Sequence, residues 1–173
     1  VTRIVERPAF GGQALSYSVD VPGSGQFVGD LRDQHPDVDL GRYGIWTATL
    51  DAQPSAAAGE AVAQLEGLGF GAVWIPETVF REPFMHAALL LQSSSRIKVA
   101  TGIVNRYGRD PLACNAAMQT LNEAFPGRFL LGLGVSHEHL VAWVRKHDYS
   151  KPYTGMVEYL DAMDKARFFA PMG

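Results

Sequence analysis

From residue 43 onward, short runs of apolar, often β-branched residues alternate with longer stretches in which apolar residues recur every three or four positions. The runs cover 43–50, 72–75, 97–104 and 129–135. Their starts lie about 30 residues apart, room for a strand, a helix and two short loops, so each segment reads as one βα unit. The runs are apolar at nearly every position instead of at every second one, the pattern of parallel strands covered on both faces.

The helical stretches have legible ends. Ser55 is placed to cap a helix carrying Ala58, Val62, Leu65 and Leu68 on one stripe, and Gly67, Gly69 and Gly71 stop it. Asp110 followed by Pro111 marks the start of another, with Ala113, Ala117, Leu121 and Ala124 along its stripe and Pro126-Gly127 at its close. A last helix is expected over 155–168, with Val157, Leu160, Met163 and Ala166 inward. Before it comes a polar excursion, 137–152, that is helical around 140–144. Successive βα units leave two architectures of the α/β class, a doubly wound open sheet or a (β/α)8 barrel. An open sheet would be complete at this length. A barrel usually takes about 250 residues, so about four of its eight units would be present, a half barrel.

Composition narrows the function classes. With 173 residues, 47% apolar and 19% charged, the chain reads as one globular domain. Residues 1–41 stand apart as an irregular N-terminal extension, with six acidic and three basic residues and the turn-rich Gly11-Gly12 and Pro22-Gly23-Ser24-Gly25, whereas 42–173 form the domain. A net charge of −3 and the lack of a basic run argue against nucleic acid. No stretch approaches the roughly 18 apolar residues of a membrane span, so no membrane partner is expected. One cysteine, Cys114, rules out an internal disulfide and fits a cytoplasmic protein; amid apolar helix neighbours it reads as a buried thiol.

In both architectures the reactive end is the carboxyl edge of the strands, where ligands bind. Four clusters fall there: Trp46-Thr47, Pro76-Glu77-Thr78, residues 102–106 and residues 132–137. Gly132 and Gly134 suggest a dinucleotide loop, but His137 stands where a third glycine belongs and the motif sits in the fourth unit instead of the first. His137, Glu138 and His139 have no second set of ligands elsewhere, so no metal site is expected.

The stretches 65–77 (LEGLGFGAVWIPE), 99–104 (VATGIV) and 126–137 (PGRFLLGLGVSH) resemble the bacterial luciferase-like oxidoreductases, and more narrowly their actinobacterial, coenzyme F-420-dependent branch. The resemblance covers about residues 42–171 and leaves out the extension. It implies the (β/α)8 barrel, TIM-barrel type, broken off after its fourth unit. It also implies coenzyme F-420, a deazaflavin, as the cofactor, with FMN as the alternative. The reaction implied is hydride transfer with a small organic substrate, or, in flavin-dependent monooxygenase members, reaction with oxygen. The cofactor carries the electrons and the protein orients the ring, shields it and delivers protons.

The resemblance also assigns residues. A bulge with a cis non-proline peptide supports one face of the ring, and Gly102-Ile103 match it. Glu77 is expected to act as proton donor or ring partner, because burial at a barrel mouth favours a carboxyl's acid form. Thr78 stands where the family often has a histidine. Val135 and Ser136 take the place of a small polar pair at the fourth strand's end, and His137 is the expected acid/base residue. Asn105 can hydrogen-bond a ring carbonyl or nitrogen, and Trp46 can line the pocket, while Trp74 belongs to core packing. Half a barrel would leave strand edges and an inner face open, so a homo-oligomer, a dimer, is expected. The alternative reading is a non-catalytic flavin-binding or assembly protein derived from the same family.

Overall fold

A computed structural model describes residues 16–18 and 39–166. Five strands form one parallel sheet in the order β1-β6-β4-β3-β2: β1 (Ser16–Ser18), β2 (Gly44–Trp46), β3 (Ala72–Ile75), β4 (Lys98–Thr101) and β6 (Phe129–Gly134). A two-residue strand, β5 (Val104–Asn105), also pairs with β6. The helices are α1 (Ser55–Gly67), α2 (Pro83–Gln92), α3 (Pro111–Ala124) and α4 (Pro152–Lys165). The four expected runs are therefore β2, β3, the β4–β5 pair and β6, in parallel neighbour order. The rest of the N-terminal extension up to residue 38 lies outside the described residues, but its Ser16–Ser18 runs beside Leu131–Leu133 of β6.

The strands are shorter than their apolar runs for local reasons. After Trp46, the Thr47 hydroxyl accepts from the Thr49 N–H at 3.1 Å, and the chain turns into a 3-10 turn, Thr49–Ala52, in place of further strand. The 97–104 run is interrupted between Thr101 and Val104, where the Gly102-Ile103 peptide is cis, as the resemblance implied. The bulge lifts the backbone out of the β4–β6 ladder, and a side chain fills the gap. Thr101 Oγ1 donates to the Gly132 carbonyl at 2.9 Å and accepts from the Gly132 N–H at 2.8 Å.

Helix ends follow their caps. Asp110 accepts from the Ala113 N–H at 2.9 Å with Pro111 at the first helical position, as expected. Ser55 does not cap α1. Pro54 occupies that position and the Ser55 hydroxyl accepts from Arg81 Nη1 at 3.2 Å. Helix α4 begins and ends three residues before its expected bounds, because Pro152 starts it. The 140–144 expectation holds as a π-helix, His139–Val144. Helix α2, capped by Glu82 accepting from the Met85 N–H at 2.7 Å, had no periodic signal of its own. Its Ala87, Leu90 and Leu91 face the core while Met85 and Leu89 face out, so apolar residues surround it.

The core lies between one face of the sheet and the helices. Val73, Ile75, Val99, Leu131 and Leu133 pack there against Val62, Leu90, Leu91, Met118, Leu121 and Leu160, each such side chain contributing roughly 1.5–3 kcal/mol. Strand register aligns the opposite face as one row, Trp46, Trp74, Ala100 and Leu130. Along that row exposure falls from Trp46, 58% exposed at the edge, through half-buried Trp74 to buried Ala100 and Leu130.

Candidate functional site

The parallel order brings the carboxyl ends of all the strands to one edge, and the loops there interlock around Glu77. The Glu77 N–H donates to the Ile103 carbonyl at 3.0 Å. Its carboxylate accepts from the Asn105 N–H at 2.7 Å, Arg109 Nη1 at 3.0 Å and Arg145 Nη2 at 2.9 Å. With only 4% of its side chain exposed, Glu77 joins the ends of β3 and β5, the approach to α3 and the excursion before α4. Burial works against the charge on Arg109, but the hydrogen bond and charge of Glu77 outweigh it and set its pKa above the ordinary value. Arg109 Nη2 also pairs with Glu82, the α2 cap, at 3.2 Å.

Glu77, expected as a proton donor or ring partner, has its carboxylate among these three donors. Both oxygens are occupied by cations, one of them also by an amide. Such a carboxylate ties the loops of the mouth together. Neither arginine was visible as a partner beforehand. Arg145 is 68 residues away in sequence, and nothing in its neighbourhood marks it.

Gly102 and Ile103 sit where the resemblance placed them. The Gly102 N–H donates to the Ile75 carbonyl at 2.8 Å, and its own carbonyl accepts from Trp46 Nε1 at 2.7 Å. Ile103 lies against Gly134, where a Cβ would come within 2.8 Å of its Cδ1, so the glycine lets the bulge close onto β6. Asn105 is 1% exposed; its Oδ1 accepts from the Tyr107 N–H at 2.9 Å, and its Nδ2 has no partner among the described residues. An orphan donor of that kind fits a ligand carbonyl or ring nitrogen.

Val135 and Ser136 follow directly on β6 and are both half-buried. Ser136 adopts φ +59, a left-handed conformation that a non-glycine residue rarely takes, and the Tyr149 hydroxyl donates to its carbonyl at 2.9 Å. The turn swings the chain out at His137, whose ring is exposed and makes no hydrogen bond to a described residue. Glu77, Gly102, Ile103 and Asn105 are thus joined directly, with Val135 and Ser136 next to them through Gly134. His137 stands at the rim. Among the described residues no group of three or more His, Cys, Asp or Glu could hold a metal, and no helix is long and apolar enough to cross a membrane.

Comparison with known proteins gives the arrangement a context. Residues 38–167 match the model of a family described as luciferase-like monooxygenase. A Mycobacterium tuberculosis protein named as a coenzyme F-420-dependent oxidoreductase is 31% identical over 120 residues, covering 69% of this chain and 35% of its own length. The chain therefore spans about a third of that relative. Among solved structures, the coenzyme F-420-dependent tetrahydromethanopterin reductase of Methanopyrus kandleri superposes with a TM-score of 0.60 at 20% identity, covering 72% of this chain and 40% of that one. The oxygenating constituent of 3,6-diketocamphane monooxygenase from Pseudomonas putida, solved with FMN, gives 0.61 at 16% identity over 78% and 42%. At these identities the structures show the fold, a parallel α/β arrangement equivalent to part of a barrel.

Proposed function

The chain belongs to the luciferase-like monooxygenase family, and from that premise we propose that it forms the ring-binding half of an oxidoreductase that uses coenzyme F-420 or FMN on a small organic substrate. The observation that carries this reading is the joining of Glu77, Gly102, Ile103 and Asn105 at the carboxyl ends of β3, β4 and β5, next to the end of β6. When bound, the cofactor supplies a hydride or accepts one.

The chain's own residues do the rest. Gly102 and Ile103 present backbone to one side of the ring, and Val135 and Ser136 bound it from the end of β6. Asn105 Nδ2 donates to a ring acceptor. Glu77 keeps these loops in register through Arg109 and Arg145. His137, exposed at the rim, exchanges a proton with substrate. Self-association as a dimer belongs to the same proposal, because β2 is an edge strand of the sheet and its Trp46 is 58% exposed.

Titrating the purified chain with coenzyme F-420 and with FMN, while following absorbance and molecular mass, tests the reading. Saturable uptake of one of them is the expected outcome, and a soluble chain that takes up neither contradicts it. Where turnover is measurable, His137→Ala is expected to lower kcat by about 10²-fold with little change in cofactor Kd. Unchanged turnover removes His137 from the mechanism.

A further inference from the structure

We infer that Trp46 is a positioning residue of this site: its indole N–H pins the Gly102 carbonyl, and its exposed ring is a fixed wall for a planar heteroaromatic ligand. The ligand half of this inference rests on the function proposed above; the pin does not.

A tryptophan 58% exposed at a strand end would ordinarily be free to change rotamer. Trp46 is not. Its Nε1 donates at 2.7 Å to a carbonyl 56 residues away, across the one strand, β3, that lies between β2 and β4. The backbone beneath it is fixed as well, because the Thr47 N–H donates to the Trp74 carbonyl at 3.0 Å. Gly102 makes the approach possible. A Cβ there would sit 3.0 Å from Trp46 Cδ1, 3.1 Å from Nε1 and 3.4 Å from Trp74 Cβ. The neighbouring Trp74 ring lies over Gly44, where a Cβ would fall 2.3 Å from Cζ3, so Trp74 is held on the same face one strand over.

Two consequences follow. The Gly102 carbonyl already has its donor, so the backbone at 102–103 is held in place from the side of β2 before any ligand arrives. An aromatic face that is exposed yet immobilised also loses little freedom when a flat ring packs on it. A tricyclic flavin or deazaflavin ring is the chemical class that such a wall beside Gly102-Ile103 would take.

The test uses the full chain with Trp46→Phe, which keeps a ring and removes the N–H, and Trp46→Ala, which removes both. Trp143→Phe is the control: Trp143 is 68% exposed on the π-helix and stacks on His139, away from these bonds. Without ligand, hydrogen exchange at the Gly102 and Glu77 amides should be about five-fold faster or more in Trp46→Phe and unchanged in Trp143→Phe. Equal exchange in wild type and Trp46→Phe overturns the pin, whatever binds. With coenzyme F-420 or FMN, Trp46→Ala should weaken binding about five-fold, and Trp46→Phe should lose the ligand-induced quenching of tryptophan emission. Binding and quenching equal to wild type overturn the wall. Faster exchange in a protein whose wild type binds neither cofactor supports the pin and contradicts the proposed function instead. If Trp46→Ala does not fold, the quenching in Trp46→Phe compared with Trp143→Phe decides.

Discussion

At the scale of single residues, Glu77 concentrates the most energy in the least space. Its buried carboxylate lies between two guanidinium groups, so Glu77→Gln leaves Arg109 and Arg145 facing each other with no counter-charge at the centre. Breaking a buried pair from one side costs about 3 kcal/mol. Chemical denaturation should show that loss for Glu77→Gln, with part of it recovered when Arg145→Met is added; no change on unfolding would mean the network is solvent-screened. His86 is the other residue with a large stake in its charge. It is 2% exposed on α2, and neither ring nitrogen is hydrogen-bonded to a described residue. Burial pushes its pKa below the ordinary 6.5, assisted by Arg81 and opposed by Asp51. The unfolded chain therefore binds the proton more readily than the folded one. Stability attributable to His86 should be flat above about pH 6.5 and fall below it, by up to about 1.4 kcal/mol per pH unit. Unfolding midpoints between pH 7.5 and 5 should show that slope in the wild type and a flatter one in His86→Leu. Cys114, buried with its thiol pushed up to about 11 mainly by burial, is inert by comparison.

At the scale of elements, β4 and β6 are held together across the bulge by one hydroxyl and one glycine. A Cβ on Gly132 would fall 2.1 Å from the Thr101 carbonyl oxygen, a backbone atom that cannot turn aside. Gly132→Ala should thus cost at least about 2 kcal/mol and speed exchange at the β4 and β6 amides, while Gly67→Ala, with nothing within 4 Å, should not. Apolar runs spaced about 30 residues apart were enough to place β3 to the residue and to find β2, β4 and β6, because buried parallel strands carry no competing polar signal; β1, Ser16–Ser18 within the stretch read as an irregular extension, has no such run. The pattern did not reveal α2, since a helix apolar on its outer face too has no periodicity to read. Asp110 was legible as a cap because its acceptor reaches only three residues ahead; Ser55 was misread because a distant arginine claimed its hydroxyl. The site divides along the same line. Gly102, Ile103 and Asn105 lie in one short segment that the family resemblance picks out. The partners of Glu77 come from 32 and 68 residues away, and only folding brings them together.

At the scale of the whole molecule, the described chain is four βα units with one helix-covered face and one face lined by Trp46, Trp74, Ala100 and Leu130. Ser16–Ser18 extends the sheet beyond β6, and β2 forms its opposite edge. The loops at the carboxyl edge are tied to one another by ion pairs and backbone bonds, so the mouth is organised before a ligand enters, which lowers the ordering cost of binding. The central claim is that this mouth holds a planar redox ring. Hydrogen exchange on the full chain, with and without saturating coenzyme F-420 or FMN, tests it most directly. The account predicts slowed exchange at 76–78, 101–106 and 134–137 with the outer faces of the helices unchanged. Protection confined to other segments, or none with either cofactor, would contradict it.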